Sequence, residues 1–197
     1  MNLLYIDVET TGLDPEKCSI FQLSGIFKNT TTHTSDTFDY YVRPYRGERM
    51  DLESKEKTGK TDEELATYPD QKLAFDAFVQ LVNAYSNNGS FKDKIYVVGY
   101  NSTYFDMAFL RKWFEFNNYT SFGNYFWSPS IDVYHIAMLH CAGRRHLLKN
   151  FRLTTVYKAF TGKDLDNAHN SWADIQATAE LLDIFMRDFK AAPLALA

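Results

Sequence analysis

Leu3-Leu4-Tyr5-Ile6-Asp7-Val8-Glu9-Thr10-Thr11-Gly12 is the stretch on which the fold turns. It is an apolar run of strand length with two acids near its end, the pattern of a buried central strand. Thr10-Thr11-Gly12-Leu13-Asp14-Pro15 then breaks it as a turn. Side chains alternate along a strand, so Asp7 and Glu9 share one face while Val8 joins Ile6 on the other. Two carboxylates at the end of an otherwise apolar strand are costly to bury alone. A hard divalent cation such as Mg²⁺ would supply the missing charge. The plainer reading leaves both acids at the solvent edge, serving only the turn.

Outward from this strand, Ser19 to Phe27 and Thr37 to Val42 read as two further strands in a meander with the first. Arg43 to Pro69 is polar and mixed, with a capping-box start at Thr61-Asp62-Glu63-Glu64. Lys72 to Tyr85 carries apolar residues at helical spacing. Ile95 to Gly99 is a short strand, Thr103 to Phe116 a helix, and Ser128 to Ile131 a last short strand. Asp132 to His140, Leu147 to Phe160 and Ser171 to Phe189 read as three helices. The order predicts an α/β fold, a mixed sheet with antiparallel first strands flanked by helices. Residues 1–190 form one expected domain, and 191–197 a loose tail.

The bulk properties narrow the function. A chain of 197 residues with 45% hydrophobic content can bury a sizeable core. Its net charge of −4 argues against a protein that coats nucleic acid, which would be strongly basic. An enzyme could still hold such a substrate through a few basic groups and metal ions. Cys18 and Cys141 lie far apart without metal-ligand spacing, so neither a zinc site nor a disulfide framework is expected. No apolar run is long enough for a membrane span or a signal peptide, which predicts a cytoplasmic protein without membrane association.

Two further segments carry chemistry. Val97 to Asp106 runs from strand through loop into a helix start, and ligands of α/β sheets bind at such strand ends. Asp106 alone would more simply complement the helix dipole. In His169-Asn170-Ser171-Trp172-Ala173-Asp174, Ser171 is a candidate N-cap with Asp174 three residues on, which gives Asp174 a structural reading as well. His169 stands outside that helix, free to act as a base near neutral pH.

Together these residues resemble the DEDD exonucleases of the histidine subclass, which include proofreading subunits, ribonuclease T and oligoribonuclease. The DxE motif with Thr-Thr-Gly is matched by Asp7-Val8-Glu9-Thr10-Thr11-Gly12. The Asn-to-Phe-Asp motif is matched by Asn101 to Phe105-Asp106, and HxxxxD by His169 to Asp174. Tyr100 departs from relatives that place His there, with little expected consequence for metal binding. The resemblance implies a ribonuclease-H-like fold and 3′→5′ hydrolysis of single-stranded nucleic acid, read here as DNA with RNA as the alternative that the sequence does not decide. It also implies two Mg²⁺ or Mn²⁺ ions on Asp7, Glu9, Asp106 and Asp174, with His169 as general base. Thr10, Thr11, Gly12, Leu13, Asn101 and Phe105 are candidate contacts to the 3′ end, though Phe105 equally suits the core. Asp132 matches a common family acid and is read as a supporting group or helix cap. Arg144 and Arg145, in the basic run to Arg152, are candidate phosphate contacts or an ordinary solvated face. A separate polymerase or replication protein is a candidate partner, and the oligomeric state is left open. The rival readings are an exoribonuclease and a non-catalytic nucleic-acid-binding module. The intact set of four acids and His169 disfavours the second.

Overall fold

The computed structural model describes residues 1–45, 49–86, 93–166 and 170–188. Among these residues five strands form one sheet: β1 Asn2–Thr10, β2 Ile20–Asn29, β3 Ser35–Tyr41, β4 Ile95–Gly99 and β5 Ile131–Asp132, in the order β3-β2-β1-β4-β5. β1 pairs antiparallel with β2, and β2 with β3, while β4 and β5 run parallel to β1. The predicted meander and mixed sheet are what forms. β1 is central and covered on both faces, which is why its first residues read as continuous apolar sequence.

Alternation along β1 divides the core. Leu4, Ile6 and Val8 pack with Phe27, Phe78 and Trp113 on one face. That face is covered by α3 (Gln71–Tyr85) and α4 (Asp106–Phe116). Leu3 and Tyr5 pack with Val133, Val156 and Leu181 on the other. There the cover is α6 (Val133–His140), α7 (Leu153–Thr161) and α8 (Ser171–Asp188). Asp7 and Glu9 continue the Leu3–Tyr5 face beyond the end of its apolar cover. Burying each Leu, Val or Phe here contributes roughly 1.5–3 kcal/mol. No helix among the described residues is long and apolar enough to cross a membrane.

Several boundaries differ from the sequence reading. Thr103 to Phe105 is loop, so that α4 begins at Asp106 itself. The last strand is Ile131–Asp132 rather than Ser128 to Ile131, because its parallel ladder to β4 spans only Val98↔Ile131 and Gly99↔Asp132. The expected helix from Leu147 to Phe160 is broken into a 3₁₀ turn, Ala142–Leu147, and α7, with extended backbone at Leu148 and Arg152 between them. Two short helices fill the Arg43–Pro69 stretch, α1 (Leu52–Thr58) and α2 (Asp62–Ala66), with Thr61 capping α2 as expected. α5 is a single turn, Phe122–Tyr125. The tail 191–197 lies outside the described residues.

Candidate active site

Each acid reaches the carboxyl end of β1 by its own local route. β1 extends past its last β4 partner, Tyr5 opposite Val98. The Val8 N–H on that side meets no strand carbonyl and instead donates to Asp106 Oδ1 at 3.0 Å. Asp106 is itself only 6% exposed.

The loop before α4 is shaped by Asn101, whose φ of 60° lies in the left-handed region. Asn tolerates that conformation better than most residues. The loop is then tied down by the buried carboxylate of Asp132. It accepts from the N–H groups of Asn101 at 2.8 Å and Thr103 at 3.1 Å. It also caps α6 by accepting from Tyr134 N at 3.1 Å. Tyr100, where relatives carry His, donates its hydroxyl to the Phe151 carbonyl at 2.7 Å and so ties β4 to the approach of α7. Burial pushes the Tyr100 phenol well above its ordinary value.

Asp174 rides on the first turn of α8. The cap of that helix is Asn170, not Ser171 as expected: Asn170 Oδ1 accepts from Trp172 N at 3.1 Å and Ala173 N at 3.3 Å. Ser171 is helical and buried, and its hydroxyl lies 2.6 Å from that of Ser24, the β2 residue opposite Asp7. A hydroxyl spent on the sheet cannot cap its own helix. This contact holds α8 against the strand that carries Asp7.

The result is a cavity of about 280 Å³ lined by Asp7, Glu9, Asp106 and Asp174 together, with Leu13, Asn101 and Phe105 at its margin. Burial is the chief cause of a carboxyl of Asp7 held well above the ordinary range. Repulsion from Asp106, Glu9 and Asp174 adds to it, and Lys57 opposes it. Burial likewise raises Asp106 to about 7, against the hydrogen bonds from backbone N–H groups that lower it. Glu9 is raised by burial, with Lys57 opposing. Acids clustered this closely ionise together only beside a counter-charge.

Hard oxygen donors of this kind suit Mg²⁺ or Mn²⁺. Among the described residues no three ligand groups are spaced to enclose an ion unaided.

The remaining candidates divide. Leu13 is 63% exposed at the cavity margin, and Phe105 lines the cavity while packing its ring on Phe109. Thr10 and Thr11 are buried and spend their hydroxyls on the turn. Thr10 donates to the Gly12 carbonyl at 2.7 Å, and Thr11 accepts from Ser19 N at 2.9 Å. A Cβ on Gly12 would lie 2.5 Å from the Asp51 carboxylate and 2.6 Å from Cys18 Sγ, so this glycine permits close packing of α1 on the turn. Arg144 and Arg145 sit on the exposed 3₁₀ turn and do not line the carboxylate cavity. Arg152, at the end of the same basic run, lines a neighbouring hollow of about 540 Å³ that shares Tyr100, Asn101 and Asp174 with the site. His169 lies outside the described residues.

Sequence reading missed Lys57 and Tyr100 as site residues. Lys57 comes from α1, which has almost no apolar periodicity. Its signals were Asp51 as N-cap and Gly59 as left-handed C-cap, and both were present in the sequence.

A five-stranded 3-2-1-4-5 sheet with acids converging at the end of its central strand defines a ribonuclease-H-like domain. The same fold is seen in exonuclease I. The zinc-bound E. coli exonuclease I–single-stranded DNA complex matches with TM-score 0.74 at 22% identity, over 95% of this chain and 40% of that one. A second exonuclease I structure gives 0.73 at 23%, over 94% and 42%. An exonuclease I/SSB-Ct complex gives 0.72 at 21%, over 94% and 41%. This chain therefore spans about 40% of the length of those proteins. Among curated proteins none matches it. Residues 4–182 match the family model of the ribonuclease T type, described as exonuclease, and the chain belongs to that family of DEDDh-type 3′→5′ exonucleases.

Proposed function

We propose that this domain shortens single-stranded DNA from its 3′ end by metal-assisted hydrolysis, releasing nucleoside 5′-monophosphates. The observation that carries the proposal is the convergence of Asp7, Glu9, Asp106 and Asp174, from three separate elements, on one open cavity. The choice of DNA is supported by the exonuclease I relatives, which are seen bound to single-stranded DNA. Exonuclease I also occurs in complex with SSB-Ct, and a separate replication protein is the corresponding candidate partner here.

In this mechanism Asp7, Glu9, Asp106 and Asp174 would hold two divalent ions in the cavity they line. Bound there, Mg²⁺ or Mn²⁺ would activate water and stabilise the attacking and leaving oxygens of the displacement. The protein's own part is placement. Asp132 and the left-handed Asn101 set the loop that aims Asp106, and the Ser24–Ser171 contact sets the helix that aims Asp174. Leu13 and Phe105 flank the terminal base, a sequence-tolerant contact worth roughly 1–3 kcal/mol. His169, five residues before Asp174, accepts the proton of the attacking water, so activity falls as pH drops through its pKa.

The test is digestion of 5′-labelled single-stranded DNA and matched RNA with Mg²⁺, Mn²⁺ or chelator, by wild type, Asp7→Ala and His169→Ala. A metal-dependent ladder, faster on DNA and lost in Asp7→Ala, is expected. Faster RNA shortening would assign an exoribonuclease. No shortening of either polymer would refute the enzyme reading, and a wild-type rate in His169→Ala would remove the histidine from the mechanism.

A further inference from the structure

We infer that Lys57 is a substrate-contacting residue of this site, its ammonium engaging the non-bridging oxygens of the phosphodiester at the strand's 3′ end. This rests on the exonuclease reading above and adds to it a residue from outside the three motifs.

The backbone places α1 firmly. Asp51 N donates to the Thr11 carbonyl at 2.8 Å, and the Asp51 side chain caps the helix by accepting from Ser54 N at 2.7 Å. Absence of a side chain at Gly12 lets α1 press against the turn that follows Glu9. Lys57 projects from the last turn of this helix into the margin of three adjoining hollows. One is shared with Asp7 and Asp174, one with all four acids, and one with Glu9, Leu13 and Phe105.

Its neighbours behave differently. Lys55 pairs with Asp62 at 2.7 Å, and Lys60 pairs with Glu64. Among the described residues Lys57 makes no ion pair within 4.0 Å and no hydrogen bond, although its charge is felt at Asp7 and Glu9. Of the three lysines in this segment, the one aimed at the acids is the one left without a fixed carboxylate.

A permanent cation beside metal ligands repels the ions those ligands collect, so counter-charge alone is a poor reason for its position. An anion lying between the lysine and the metals removes the conflict. A phosphodiester does this, and its negative charge concentrates as the linkage breaks. A compact ammonium on a flexible stem suits a moving phosphate oxygen, as a point charge without directional demand.

The experiment compares wild type with Lys57→Met and Lys57→Arg. It measures single-turnover cleavage of a 3′-terminal DNA linkage, and also Mn²⁺ affinity without DNA by calorimetry. A parallel substrate carries a methylphosphonate at that linkage. Lys57→Met should slow cleavage on the order of 100-fold, the range for losing one charge-stabilising donor. Mn²⁺ affinity should be unchanged or tighter, and Lys57→Arg should recover part of the rate. The neutral linkage should slow both proteins, and Lys57→Met should cost clearly less on it than on the native linkage. Cleavage by Lys57→Met within about twofold of wild type would overturn the assignment. So would a loss fully matched by weaker Mn²⁺ binding, which would make the lysine a metal-site support. If wild type shortens no polymer, the exonuclease reading falls and this assignment with it.

Discussion

Replacing Asp106 by Asn should make the metal-free protein more stable at alkaline pH and leave it unchanged in acid. Asn keeps an oxygen to accept the Val8 N–H, now 3.0 Å from Asp106 Oδ1, and removes only the ionisable group. The folded-state pKa of Asp106 is raised from 3.8 to about 7, chiefly by burial. Below about pH 4 the acid is protonated in both folded and unfolded chains and costs nothing. Between that point and about pH 7 the unfolded chain ionises first, so wild-type stability falls as pH rises. The full shift corresponds to roughly 4 kcal/mol. Because Asp7 and Glu9 share in it, the single replacement should return about 2–4 kcal/mol. For a chain of this size that is a rise in melting temperature of about 5–15 °C. The assay is thermal or urea unfolding of both proteins in chelator, in steps from about pH 5 to pH 8. The curves should converge in acid and separate as pH rises. Adding Mg²⁺ near pH 8 should raise wild type more than the variant, since the metal binds the folded form. Equal stability at pH 8, or an equal gain at every pH, would refute the argument that Asp106 is held above its ordinary pKa by burial among acids.

Asp132→Ala should cost about 2–4 kcal/mol in urea unfolding, since three backbone N–H groups lose one buried acceptor. Because two of them belong to the loop that aims Asp106, nuclease activity should fall too, and a variant with full stability would refute the bracing role. Arg152→Ala should raise KM and flatten its dependence on salt by about 0.7 in log–log slope, one single-strand phosphate contact. The Arg144→Ala/Arg145→Ala pair should do less, because Arg152 alone of these three lines the hollow beside the site. The opposite ranking would return the phosphate contact to the 3₁₀ turn.

Much of the site was legible because strand alternation is local. That Asp7 and Glu9 share a face away from Val8 needed only the period of two, and the cores on either side of β1 agree. Asp132 as a helix cap was legible in the same way, from its place before a helix. Asn101 and Asp106 were visible as a strand-end loop and helix start. The cap of α8 is ambiguous in the sequence because Asn170 and Ser171 both suit that position. The choice depended on a distant serine, Ser24, which occupies the Ser171 hydroxyl. α1 is hard to see in the sequence because its helical signal is in its ends, while its body offers no apolar stripe.

The sequence by itself determined the central strand, the meander, the four acids and the family motifs, since each is written in short-range pattern or spacing. Only the tertiary structure decided that those acids share one cavity, that Asp132 braces the loop of Asp106, and that Lys57 and Arg152 border the site while Arg144 and Arg145 do not. These are contacts between elements far apart in the chain. They depend on where the end of β1 outruns β4 and on how closely α1 packs against Gly12, and no periodicity within a single segment encodes either distance.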